Sequence, residues 1–409
     1  MKRFGKIILC TMLAFCTLSA ISSCGSVKQK TDDTSSDTST AETETNTAPD
    51  SPVVIPMNGE NGMDFIIEFP EGKEITILQI TDTQMQELSG ARNENRYNQI
   101  KNAHFTSDVH DHEIRVWRYM DEGVERAQPD LIVLTGDNIY GELDDDGSMW
   151  LELCEHMDSY GIPWLVVFGN HDNESGKGVM WQIEQLKNSE HCVFAEGNVT
   201  GNSNYNVVIK QGEEYKYLFY LLDTNGCFVN LNNYGERLMP DNPDIDKIQQ
   251  SSGIFEDQIA WIRESAQSIF AEYGTLPVMM FYHIPPSESA DAANELYPDT
   301  YTPEFISSAP FAPDREGDLG FATEPIVGGF YAPDFFAAAK EIGCVGMFMG
   351  HQHKVSTSIL YDGIRITYGL KTGTYDYHET DMLGTTKITI GEDNSFAVEY
   401  LESELEYLG

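Results

Sequence analysis

Short apolar runs in this sequence repeatedly end in residues that could bind metal. Ile75 to Ile80 leads into Thr81, Asp82, Thr83 and Gln84, run 131–134 into Gly136, Asp137 and Asn138, and run 164–168 into Gly169, Asn170, His171 and Asp172. Run 278–282 precedes His283, and run 345–349 precedes Gly350, His351, Gln352 and His353. Carboxylates, neutral imidazoles and amide oxygens are the donors that hold a pair of first-row ions, one carboxylate bridging and positions left for water and substrate. Each cluster is weak by itself, since Gly-Asp-Asn is common in turns. Their order, and their shared place at the end of an apolar run, point to one metal centre. If the chain is still extended there, side-chain alternation puts Asp82 with Gln84, and His351 with His353, on one side.

The elements that must position these groups follow from the apolar patterns. The runs are nearly continuous in apolar residues and bounded by turn residues, as in strands covered on both faces. Between them, segment 114–127 carries Val116, Met120, Val124 and Ala127 at helical spacing before Pro129. Segment 255–270 carries Ile259, Ile262, Ala266 and Ile269 on one stripe. Alternating strands and helices predict a layered α/β fold, in which ligands lie beyond the carboxyl ends of the central strands. Segments 356–361, 364–368, 386–390 and 396–401 are short, strand-like and separated by turns, and predict hairpins closing a second sheet. Residues 225–253 and 284–332 lack regular pattern, and loops of that length cover a site or bind something. Phe228, Tyr234, Tyr297, Tyr301 and Phe330 within them either stack on a base, sugar or lipid group or pack the loops.

In this order the motifs resemble the calcineurin-like metallophosphoesterase superfamily, whose pattern is Asp-x-His, Gly-Asp, Gly-Asn-His-Asp/Glu, a lone His and Gly-His-x-His. The resemblance runs from about residue 74 to 370, and the last four motifs match fully. More narrowly it looks like the purple-acid-phosphatase-like branch of plants and fungi, through Thr135-Gly136-Asp137-Asn138, the strand end at 222–225 and the Gln-Ile-x-Trp helix at 258–261. The resemblance implies a four-layer α/β/β/α sandwich of two mixed sheets, carrying two divalent or trivalent ions (Mn, Fe or Zn). One ion would take Asp82, Gln84, Asp137 and His353, the other Asp137, Asn170, His283 and His351, with Asp137 bridging. Hydrolysis of a small phosphate mono- or diester by a metal-activated water would follow, with no covalent intermediate. Asn170 and His171 would meet the substrate, His171 protonating the leaving oxygen.

The departure from the pattern is Gln84, where the family usually has His. Its neutral amide oxygen is a weaker donor than imidazole, and it either ligates the first ion or hydrogen-bonds nearby. Asp172 would orient the His171 imidazole or cap the next helix, and Asn138 would contact phosphate or hold its turn. Lys371 and Thr372 could face the pocket and help to hold a phosphate. The alternative to an enzyme is a surface binding protein on the same fold, with Gln84 its first sign of decay. A peptidase is not indicated, because neither HExxH nor a nucleophile elbow occurs.

The 409 residues carry 25 Lys+Arg against 66 Asp+Glu. Such a surface repels polyphosphate backbones, so nucleic acid is not expected as a partner. The length suits one large domain, expected over 53–409. Lys2, Arg3 and Lys6 before the apolar stretch 7–21 read as an export signal, too short for an ordinary spanning helix. Ile21-Ser22-Ser23-Cys24-Gly25 resembles the bacterial lipobox, which implies a signal over 1–23, a lipid on Cys24 and a chain anchored to the cell membrane, facing outside the cytoplasm. A plain signal cut near Ala20 is the alternative. From Cys24 to residue 52 the Ser, Thr, Asp and Glu-rich chain predicts a flexible tether. Cys154, Cys192, Cys227 and Cys344 are widely spaced, and serve as disulfides or as small buried hydrophobes. His104, His110 and His112 are expected in an exposed loop, with a further metal site as the alternative, and His156, His191 and His378 as surface or packing residues.

Overall fold

Valine, isoleucine and leucine, with methionine and phenylalanine before His283 and His351, fill the segments ahead of each polar cluster, and chain that is apolar on both faces is stable only inside a covered sheet. The computed structural model, which describes residues 51–86, 109–144, 146–226, 252–302, 310–330 and 333–405, places each of them there. The chain forms β1 (Val53–Pro56), β2 (Phe65–Phe69), β3 (Ile75–Ile80), α1 (Val109–Ala127), β4 (Leu131–Thr135), α2 (Ser148–Ser159), β5 (Trp164–Val167) and α3 (Val179–Asn188). Next come β6 (Tyr205–Gln211), β7 (Glu214–Leu221), α4 (Glu256–Tyr273), β8 (Val278–Phe281), α5 (Glu288–Leu296) and β9 (Leu319–Ala322). It ends with α6 (Pro333–Glu341), β10 (Cys344–Met349), β11 (Val355–Tyr361), β12 (Ile364–Tyr368), β13 (Gly384–Ile390) and β14 (Phe396–Glu402).

These strands make two mixed sheets, one of nine strands in the order β1-β2-β6-β7-β8-β10-β12-β11-β9 and one of five in the order β14-β13-β3-β4-β5. Alternation along the strands of the larger sheet divides its side chains between two cores. Val207, Ile209, Met279 and Phe281 join Ile132, Leu134 and Leu165 of the smaller sheet, with Met120, Leu153 and Ile183 of α1 to α3. Val208, Val278, Met280 and Met347 instead meet Ile262 and Ile269 of α4, Ala293 of α5 and Phe335 of α6. The layers therefore run helices, sheet, sheet, helices.

The carboxyl-terminal strands depart from expectation. Rather than closing one sheet together, β11 and β12 extend the larger sheet, while β13 pairs with β3 and β14 with β13 in the smaller one. The segment between β12 and β13 must cross from one sheet to the other. It does so past Asp82, where the amides of Thr372 and Gly373 donate to the carbonyls of Thr81 and Asp82 at 2.9 and 3.1 Å. Residues 284–332 are not patternless either, since they hold α5 and β9. Within them Tyr297 and Tyr301 are buried, the first donating its hydroxyl to Asp318 at 2.6 Å and the second to the Ile326 carbonyl at 3.1 Å. They and the buried Phe330 pack the loop, while Phe228 and Tyr234 lie outside the described residues.

The helix expected from residue 114 starts at Val109, which puts His110 and His112 on α1 rather than in a loop, and His104 lies outside the described residues. His156 packs on Trp117 and bonds Asp121 and Tyr160. Cys154, Cys192 and Cys344 are free thiols; Cys227 and Cys24 lie outside the described residues. Among the described residues, no helix is long and apolar enough to cross a membrane.

Candidate metal centre

β3, β4 and β5 lie side by side and parallel, and so do β8 and β10 in the facing sheet. Both sets deliver their carboxyl ends to one edge of the sandwich. Beyond those ends the chain turns sharply, with left-handed φ angles of 51° at Asp82, 45° at Gln84, 49° at Asp137 and 74° at His351. Such angles cost a non-glycine residue on the order of 1–3 kcal/mol each, and persist where neighbouring bonds enforce them. Here the amides of Asp82 and Gln84 donate to the carbonyls of Gly136 and Asp137 at 3.1 and 2.9 Å, tying the β3 loop to the β4 loop.

These turns overturn the expectation of extended segments. The chain is not extended at Asp82, Gln84 or His351, so alternation does not decide which side chains share a side. His351 instead falls in one group with Asp137 and His283, and His353 in another with Asp82 and Asp137, the donor atoms of each group lying within 4.8 Å of one another. Asp137 belongs to both. Two glycines make the approach possible: a Cβ on Gly169 would lie 2.2 Å from Asp137 Oδ1, and one on Gly350 would lie 2.3 Å from Asp82 Oδ2.

The hydrogen bonds around the cluster hold the donors and leave acceptor atoms over. Asp82 Oδ2 accepts from the Thr81 hydroxyl at 2.8 Å and the His351 amide at 3.0 Å, while Asp137 Oδ1 accepts from the His171 amide at 2.8 Å. His283 Nδ1 lies 2.9 Å from the Thr135 carbonyl and His353 Nδ1 lies 2.9 Å from that of Tyr377. Carbonyls only accept, so each Nδ1 carries a hydrogen and, in the neutral ring, Nε2 carries the lone pair. His283 Nε2 is 3.1 Å from Asp137 Oδ2. Asp82 Oδ1, Asn170 Oδ1 and His283 Nε2 have no hydrogen-bond partner among the described residues. Buried acceptors are rarely left unpaired, and oxygens and imidazole nitrogens gathered in this way are a fitting donor set for metal ions.

Electrostatics point the same way. Burial works against the Asp137 charge, yet His283, His171 and His351 hold its carboxyl well below the usual carboxylate range. Asp82 is likewise held down against burial by His353, His283 and Lys371. Burial would lower His283, but Asp137 and Asp82 push it up to about 9; burial and His283 push His351 down to about 3. The carboxylates thus draw a positive charge into this cluster.

A family model described as calcineurin-like phosphoesterase matches residues 101–354, more than half of the chain. The chain belongs to the calcineurin-like phosphoesterase family. An Arabidopsis thaliana relative named "Probable inactive purple acid phosphatase 14" is 29% identical over 278 residues, covering 63% of this chain and 62% of its own length. Another, "Probable inactive purple acid phosphatase 29" of the same plant, is 25% identical over 331 residues, covering 76% and 74%. The chain thus spans less than two thirds of the first relative's length. Among solved structures, purple acid phosphatase PPD1 from yellow lupin (Lupinus luteus) seeds aligns with a TM-score of 0.44 and 13% identity, over 83% of this chain and 54% of that one.

Within this site, some predicted residues do other work. The Asp172 carboxylate accepts from the amides of Gly169 and Ile139 and from Asn138 Nδ2 at 2.7, 2.9 and 3.0 Å, so it braces the β4 and β5 loops rather than orienting an imidazole or capping α3. Asn138 spends its amide on Asp172 and on the Val167 carbonyl, which holds its turn and leaves phosphate contact unsupported. Gln84 Oε1 accepts from Lys371 Nζ at 2.7 Å, the hydrogen-bonding alternative of the two expected for it. Thr372 donates its hydroxyl to the Gly384 carbonyl, inside the fold.

Glu174 is the partner that sequence reasoning missed. Its carboxylate lies 2.9 Å from His171 Nδ1, and Tyr140 stacks on the same ring with 4.3 Å between centroids. The signal that could have found it is its position three residues after His171, the spacing that faces side chains across one helical turn. Asp376, on the segment crossing between the sheets, adds negative charge near His171, Lys371 and His353. Nothing in the local pattern points to it.

Proposed function

We propose that this chain is a metal-dependent phosphoesterase that hydrolyses a small phosphate mono- or diester at a dinuclear centre, displayed outside the cytoplasmic membrane on a lipid attached to Cys24. One observation carries the catalytic part: two donor groups share Asp137, and Asp82 Oδ1 of one and His283 Nε2 of the other are buried without a hydrogen-bond partner among the described residues. Asp82, Asp137 and His353 would hold one ion, and Asp137, Asn170, His283 and His351 the other. Bound there, Mn, Fe or Zn supplies Lewis acidity toward the phosphoryl oxygens and lowers the pKa of water.

The chain's own groups supply the rest. Asp137 keeps both half-sites in register, because its carboxylate is fixed by the His171 amide. His171 carries a proton for the departing oxygen. Burial alone would lower this imidazole, but in the metal-free fold Glu174, ahead of Asp137, outweighs it and pushes the ring up to about 10; with Asp137 committed to the ions, Glu174 is the group that holds the proton there. Glu174 and Tyr140 fix the ring's angle. Export and anchoring rest on the order of basic residues, apolar stretch and Cys24 at the amino end. The acidic balance of the chain disfavours a polyanionic partner such as nucleic acid.

A second reading, a binding protein without turnover, is favoured by the ammonium of Lys371 on Gln84 and by the word inactive in the names of the plant relatives. The deciding experiment is hydrolysis of aryl phosphate mono- and diesters by the full chain in detergent, stripped of metal and then supplied with Mn2+, Fe2+ or Zn2+. The phosphoesterase turns over only with metal. Protein that binds metal yet turns over none of these esters is the binding protein.

A further inference from the structure

The two halves of the centre are not built alike. Around one, Asn170 Oδ1 and His283 Nε2 are unpaired and His351 stands with its ring centroid 5.1 Å from that of His283. That half has an amide oxygen, two imidazoles and the shared Asp137. The other half has Asp82, whose Oδ1 is likewise unpaired, His353 and the same Asp137, and what sets it apart is a buried lysine beside it. Lys371 is 3% exposed, and its Nζ donates to the Asp82 carbonyl at 3.0 Å and to Gln84 Oε1 at 2.7 Å.

Two consequences follow from the chemistry of the groups. An amide oxygen that accepts from an ammonium is turned toward it, and the other end of the amide, Nε2, is a donor with no lone pair to offer a metal. Gln84 Nε2 is buried and has no hydrogen-bond partner among the described residues. The ammonium itself places a positive charge against the backbone of Asp82, where it repels a second cation in a poorly solvated setting. Both acceptors of Lys371 are neutral oxygens, so the ammonium forms no ion pair there and answers the charges of Asp82 and Asp376 only through space, the part a second cation would otherwise supply.

We infer that the half-sites are unequal: this chain holds one ion tightly with Asp137, Asn170, His283 and His351, while Lys371 supplies part of the positive charge at the Asp82–His353 half, which takes a second ion weakly. Gln84 is then a hydrogen-bond donor to a phosphoryl oxygen and not a metal ligand. The inference rests on the reading of this cluster as the phosphoesterase centre.

The test is metal stoichiometry, read without substrate. Full-length protein in detergent is dialysed against graded Mn2+ and its metal content measured by elemental analysis. One ion per chain is retained first, and the second binds about 10–100-fold more weakly, the range over which groups around a metal's ligands tune affinity. The Gln84→His/Lys371→Met double variant, which adds an imidazole and removes the ammonium, closes most of that gap. Asp82→Asn loses the weak ion and keeps the tight one. Two ions of equal affinity in the unaltered chain overturn the inference, as does loss of the tight ion in Asp82→Asn. So does a double variant that still holds its first ion but shows no gain for the second. If the double variant fails to fold and holds no ion, the unaltered chain and Asp82→Asn decide the matter. Unequal ions without hydrolysis keep this inference and sink the enzyme, whereas equal ions with hydrolysis do the reverse.

Discussion

Oε2 of Glu174 lies 2.9 Å from Nδ1 of His171, with the Glu174 side chain only 1% exposed. The pair spans one short 3-10 turn, Asp172–Glu174 and its cap His171, and Tyr140 closes the other side of the ring. Removing the carboxylate therefore changes the proton on His171 without touching a proposed metal ligand. Burial lowers this imidazole and Glu174 is the largest cause raising it, so Glu174→Gln lowers it from about 10. An acid catalyst loses its proton as pH rises through its pKa, so the alkaline limb of the kcat profile moves to lower pH in the variant. The ion pair's contribution to stability is full below the unfolded histidine value of about 6.5 and is lost as pH rises toward 10. A limb that stays in place in Glu174→Gln removes His171 from the acid role.

Asp172 gives a stability prediction. Its carboxylate satisfies two backbone amides and the side chain of Asn138, all buried. Asp172→Ala orphans these donors and destabilises the chain by about 2–4 kcal/mol in denaturant titration. Burial and Asp137 push the Asp172 carboxyl up to about 7 in metal-free protein. A raised acid binds its proton in the fold before it does in the unfolded chain, where the value is about 3.9. Its share of stability is thus full below that value and falls as pH rises through 7. Metal-free unfolding at pH 5 and pH 8 measures this, and a stability loss in Asp172→Ala that is larger at pH 8 contradicts it.

The proposed lipid anchor depends on one thiol. Cys24→Ser removes the atom that would carry the lipid while leaving the basic and apolar stretches before it unchanged. In fractionated cells the unaltered protein sediments with membranes, and the variant does not remain there as a mature, anchored form. Membrane retention of Cys24→Ser at the unaltered protein's mature mass defeats the anchor.

Much of the framework is legible locally. The apolar runs before Asp82, Asp137, Asn170, His283 and His351 announce β3, β4, β5, β8 and β10, because a strand covered on both faces has almost no polar residue to spare. The stripes of α1 and α4 announce helices for the matching reason. What could not be read is which sheet each late hairpin joins, since β12 and β13 are separated by a short crossing whose partners, β10 and β3, are remote in sequence.

By itself the sequence determined the donor types, their order and the strands that end at them, since composition and periodicity are local properties. The tertiary structure decided how those donors are used. Left-handed turns at Asp82, Gln84, Asp137 and His351 replaced simple alternation. Bonds between distant loops took Asp172 and Asn138 into the scaffold and put Glu174 on His171. The crossing after β12 carried Lys371 to Gln84, across 287 positions of chain. A side chain's chemistry is written at its own position, but its charge environment and its free lone pairs are set by whichever remote groups the fold packs against it.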